Sequence, residues 1–134
     1  MARLVLAAAV NLLLFVIPAG AMPMAEFDKL SLEDQSNYLV ALKEGARQFL
    51  LSQGKKDLAA KIVTVFDTPQ PGKKFPEGLW QLDKDMDAAR QYQQKSGRTV
   101  HVEHVLLLTF SKYRIDGISR EVMMKVGATY KATQ

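Results

Sequence analysis

The chain contains no cysteine. That excludes a disulfide framework, a thiol nucleophile, a thiolate zinc site and an iron–sulfur cluster. Histidine is scarce, with only His101 and His104, and Trp80 is the single tryptophan. No glycine-rich phosphate loop occurs, and no serine lies in the G-x-S-x-G turn of a hydrolase. The formal net charge of +4 is too small to argue for nucleic acid. The one long apolar run, residues 4–17, is broken only by Asn11. It is shorter than the roughly 20 residues that a membrane-spanning helix needs.

What is present points to one exported domain. Hydrophobic residues make up 48% and charged residues 24% of 134 positions, the composition of a single globular unit. Arg3 precedes the apolar run, Pro18 ends it, and Ala19-Gly20-Ala21 places small residues where a signal peptidase reads them. Residues 1–21 are therefore expected to be a cleaved signal peptide and residues 22–134 a single soluble domain, periplasmic or secreted. After cleavage no stable membrane insertion is expected. The alternative for the first segment is a retained anchor. Loss of Arg3 leaves the domain one basic side chain fewer than the 18 of the whole chain, against 14 acidic ones.

The domain reads as all-α. Ser31 is a good N-cap, with Glu33 and Asp34 in the first turn. Tyr38, Leu39, Leu42, Ala46, Phe49 and Leu50 then recur at helical spacing, and Gly54 is the stop. Asp57 is the expected cap of a second helix carrying Leu58, Ile62, Val65 and Phe66. The short connection favours an antiparallel pair. Residues 67–78 hold Pro69, Pro71, Pro76, Gly72 and Gly78, so a loop is expected there. A third helix, from about 79 to 94, turns Leu79, Leu82, Met86 and Ala89 inward and ends at Ser96-Gly97. Residues 99–113 are rich in β-branched side chains, so a buried strand is an alternative. A helix is preferred, because Val102, Val105, Leu106, Thr109, Phe110 and Tyr113 share one face. Leu107 and Leu108 lie off that face and predict burial nearly all round. Asp116-Gly117 makes a turn, and Ser119 caps a last helix bearing Val122, Val126 and Tyr130. The sum is a bundle of about five helices after the signal.

Few side chains suggest chemistry. His101, Glu103 and His104 are close enough in sequence to be weighed as a metal site. Their spacing matches no zinc-protease motif, and Glu103 lies well off the line joining the histidines. Asp85 and Asp87 read as a solvated helix face. Met123 and Met124 read as core filling. Trp80 falls off the inward stripe of its helix, toward Lys84, Asp87 and Gln91. With Phe75, Lys73 and Lys74 it outlines a recognition patch for a protein partner. The alternative is that Trp80 folds under the loop.

The run Tyr38-Leu39-Val40-Ala41-Leu42 with Gly45 resembles the first helix of small periplasmic immunity proteins of the Rap1a/Tai type. Pro76-Glu77-Gly78-Leu79-Trp80-Gln81-Leu82, then Tyr92, then His104-Val105-Leu106-Leu107-Leu108, is similar to that family's later helices. The resemblance covers roughly residues 35–113 and implies a helical protein that neutralises a toxin by binding it. Members typically carry a disulfide, which this chain cannot form. No toxin-contacting residue carries over.

The reading is thus an exported, non-enzymatic binding protein of the cell envelope, acting through a protein partner and toxin-neutralising in one version. No cofactor, metal or nucleic acid is expected. The alternatives are a small metal-binding protein or enzyme using His101 and His104, and a structural or stress-protective envelope protein.

Overall fold

The computed structural model describes residues 21–134. The expected signal peptide, except Ala21, lies outside the described residues. Six helices and no strand follow: α1 (Met24–Asp28), α2 (Leu32–Ser52), α3 (Lys56–Phe66), α4 (Glu77–Ser96), α5 (Val102–Lys112) and α6 (Arg120–Ala132). The bundle is all-α, as the periodicity predicts. α2 packs against α3 and α6, and α5 packs against α4 and α6. One apolar core, centred on Tyr38, Leu42, Phe66, Leu106, Phe110 and Met123, runs through the middle.

The caps explain where the helices begin and end. Ser31 Oγ accepts from Asp34 N–H at 3.1 Å, and Ser119 Oγ accepts from Val122 N–H at 3.2 Å. Both satisfy an amide that the first turn would leave open. α2 ends in paired bonds, Lys55 N–H to Leu50 O at 2.9 Å and Gly54 N–H to Leu51 O at 3.0 Å. Gly54 takes the left-handed φ of 73° that this ending requires. α5 ends in the same way, with Ile115 N–H bonded to Phe110 O at 3.0 Å and Arg114 N–H to Ser111 O at 3.1 Å. Here the left-handed residue is Arg114, at φ 58°. A side chain costs roughly 1–2 kcal/mol in that conformation, partly recovered through a less flexible unfolded chain. Arg114→Gly should therefore stabilise the fold by up to about 1 kcal/mol, read as a higher midpoint in urea at unchanged slope.

Two expectations are corrected, and one further helix is added. The stretch before Ser31 carries α1, with Pro23 at its cap position and Met24 and Phe27 buried. Asp57 does not cap α3. The cap position is Lys55, without a side-chain bond, and Asp57 stands in the first turn. α5 is not buried all round, since Leu108 is half exposed. α6 turns Met123 and Gly127 fully inward, while Val122, Val126 and Tyr130 are only partly covered. There α6 approaches α2 so closely that any Cβ on Gly45 would collide with the Val126 methyls.

The segment before α1 is stitched to the segment before α5. Met24 N–H donates to Val100 O and Val102 N–H to Met22 O, each at 2.9 Å, and Pro23 faces His101 in an isolated antiparallel bridge. Arg90 on α4 clasps Asp28 at 2.8 to 3.1 Å, holding the end of α1. Among the described residues no helix is long and apolar enough to cross a membrane.

Candidate functional site

The loop between α3 and α4 is braced at both ends. At its start the nearly buried Lys43, on α2, pairs with Asp67 Oδ1 at 3.0 Å. Lys73 N–H donates to Gln70 O at 3.0 Å and closes a turn with Pro71 second and Gly72 third. Pro71 presets the turn, and Gly72 supplies the positive φ of 80° at the third position. At its end Pro76 is buried and leads into α4. Gly78 then lies flat on the end of α3. A Cβ there would come within 2.6 Å of Val65 Cγ1 and 2.8 Å of the Val65 carbonyl oxygen. Backbone cannot swing aside as a side chain can, so glycine sets how closely α4 starts against α3. Gln70 Nε2 ties the turn to Glu77 Oε2 at 3.0 Å.

This bracing presents the side chains singled out in the sequence. Phe75 is 71% exposed and Trp80 58% exposed. Trp80 does not fold under the loop; its ring lies on the helix surface with Lys84 Nζ 3.9 Å from its centroid. That stacking holds the indole orientation at small cost. Lys73, Lys74, Phe75, Glu77 and Trp80 together line an open hollow of about 480 Å³. Pro76 and Leu79, from the same junction, line a second hollow with Leu39 and with the exposed Leu32 and Val40 of α2. Apolar surface thus continues beyond the patch.

The histidine cluster does not assemble. His101 stands just before α5, partly buried, and its pKa is lowered by burial first, then by the charges of Arg120 and His104. His104 is exposed and lines a hollow with Tyr92 and Leu108. Glu103 points inward and is 0% exposed. Among the described residues no three His, Asp or Glu side chains gather so that they can hold a metal ion.

Glu103 lies away from the histidines, as its spacing indicated, but its buried partners were not foreseen. Its carboxylate accepts a hydrogen bond from the Tyr38 hydroxyl, and both its oxygens lie 3.1 Å from the Met22 amide nitrogen. Burial pushes its pKa up, against those bonds. Burial, with Glu103 beside it, drives the Tyr38 hydroxyl well above its ordinary range. The signal was available: Glu103 precedes Leu106 and Phe110 by three and seven residues, on the inward stripe itself. Asp85 is a correction. Rather than facing solvent, it accepts from Thr109 Oγ1 at 2.7 Å, from Gln81 Nε2 at 3.0 Å and from the Lys112 ammonium, joining α4 to α5. Burial acts to raise its pKa, and those three donors outweigh burial and lower it.

The molecule thus presents an exposed aromatic and basic patch and encloses the Glu103 carboxylate. Comparison with family models, with curated proteins and with solved structures finds no match to this chain.

Proposed function

We propose that this chain is an exported, non-enzymatic binding protein of the cell envelope, which grips a protein partner with Lys73, Lys74, Phe75 and Trp80. The observation that supports the reading is the exposure of Phe75, on a loop braced from both ends, together with Trp80 in the first turn of α4 that follows it. Large aromatics at a surface are the anchors that interfaces use, because they bury much apolar area with few rotamers to fix. Lys73 and Lys74 favour an acidic rim on the partner. The toxin-neutralising version rests on the resemblance to the Rap1a/Tai-type immunity proteins.

The test is affinity capture from the native envelope fraction, with residues 22–134 as bait and a Phe75→Ala, Trp80→Ala double variant as control. One partner should be held by the wild type, with at least about 30-fold weaker binding by the variant, the effect of losing a hot spot of roughly 2 kcal/mol. The variant should keep the wild-type unfolding midpoint, because both side chains are exposed. A partner retained by the variant would move the binding face elsewhere. Absence of any partner would favour a structural or stress-protective role.

A further inference from the structure

Glu103 takes no part in the proposed binding face. Among the described residues no ion pair includes it. The Lys131 ammonium acts on it electrostatically but is held by Glu26 Oε1 at 3.2 Å. One amide hydrogen, from Met22, is all that the nitrogen there can share between two carboxylate oxygens at 3.1 Å each. Met22 is also the residue after Ala19-Gly20-Ala21, the small-residue stretch that a signal peptidase would read.

We propose that cleavage between Ala21 and Met22 creates an α-ammonium that closes a buried ion pair with Glu103 and so locks the mature fold. The inference rests on the export reading above and adds where the chain is cut and what its new end does. Hydrolysis of the Ala21–Met22 amide consumes one water. The carboxylate stays with Ala21. The Met22 amine takes up a proton, as α-amines do below about pH 8. The nitrogen is already in place, and its donor count rises from one hydrogen to three, so each carboxylate oxygen receives its own.

The position does not depend on what precedes Met22. Bonds from Met24 N–H to Val100 O and from Val102 N–H to Met22 O fix the backbone on either side. A hollow of about 260 Å³ lies beside Met22. The titratable groups around it are Glu26 on α1, Asp34 and Tyr38 on α2, Tyr130 and Lys131 on α6, and Glu103 on α5. Three carboxylates against one lysine favour a new cation. The sign of the pH dependence follows. Pairing raises the amine pKa in the folded state, so the added stability is complete below the unfolded value of about 8 and is lost as pH rises through the folded value.

The experiment expresses the whole chain, leader included, in an exporting bacterial host and purifies it from the envelope fraction. Intact mass should place the first residue at Met22. Acetylation of the α-amine by an N-hydroxysuccinimide ester, followed against pH, should show a profile displaced upward by about one unit or more from that of the chain unfolded in guanidinium. That corresponds to labelling at least about tenfold slower at pH 6.5. In Glu103→Gln the displacement should vanish. A leader that stays attached would overturn the export reading together with this one. A leader removed at another bond would overturn this inference alone. So would a chain that begins at Met22 but whose profile matches the unfolded one, or is slowed without being displaced, as plain burial would do. If Glu103→Gln does not fold, the wild-type profile decides by itself.

Discussion

Phe66→Ala should lower the unfolding free energy by about 3–5 kcal/mol, the usual loss for a buried phenylalanine. Phe66 is completely buried at the end of α3. Its ring meets Phe110 edge-on at 5.3 Å and Tyr113 at 6.2 Å, so it joins α3 to α5. It also supports the start of α4, since a Cβ on Gly78 would lie 2.8 Å from Phe66 Cδ1. Collapse into the vacated space is resisted on one side by the Val65 backbone against Gly78 and on the other by the length of α5. The result should be a fall of roughly 10–20 °C in Tm for a domain of this size. Urea titration checks the free energy. Trp80 fluorescence checks the consequence for the surface, because α4 carries the indole and its first turn packs on Phe66. Loss of stability well below about 3 kcal/mol would mean that the three helices hold together without this ring.

Glu103→Leu should cost about 2–4 kcal/mol, although leucine fills a similar volume and is better suited to an apolar core. The loss comes from the groups around it. The Met22 N–H belongs to a buried residue and has the Glu103 carboxylate as its acceptor. Tyr38, itself buried, loses the bond from its hydroxyl to Glu103 Oε1. The Met22 N–H, a buried donor left without the carboxylate, accounts for roughly 1–3 kcal/mol of this, and bonds to a charged group are the stronger kind. Because Met22 shares a backbone bridge with the segment before α5, the damage should be local first. Amide exchange at Met24 and Val102 should accelerate more than exchange in the middle of α2. Uniform acceleration would instead show that Glu103 supports the whole core and not the amino-terminal arm.

How much of this was legible in the sequence depended on what kind of force decided each position. Helices α2 and α4 were readable because apolar spacing, caps and stops agree along 20 or so residues. α5 was readable as a helix despite its β-branched residues, since its face continues to Tyr113 beyond the length of a buried strand. α1 was missed: five residues after a proline give too short a stripe, and its existence depends on pairing with residues 100–102. The capping role of Asp57 was displaced because the paired bonds at the end of α2 run into Lys55 and leave the chain helical two residues sooner. Asp85 and Glu103 show the harder limit. A carboxylate on a helix reads as solvated until its partners are known, and Thr109, Lys112, Met22 and Tyr38 all come from distant parts of the chain. The patch residues fared differently. Trp80 was placed correctly off the inward stripe, but the brace that holds its loop, Lys43 to Asp67 and Gly78 against Val65, lies in contacts that no periodicity reveals.

That brace has a kinetic consequence. A surface loop ordinarily loses freedom when a partner lands on it, at about 0.5–1.5 kcal/mol for each mobile side chain that must be ordered. Here the Pro71-Gly72 turn, the Asp67 ion pair and the buried Pro76 have removed much of that freedom in advance. Any partner would meet a surface already shaped, so diffusion and orientation set the rate of encounter and no slow rearrangement precedes it. Lys73 and Lys74 would then govern arrival, in a manner that salt weakens, while the area under Phe75 and Trp80 would govern departure.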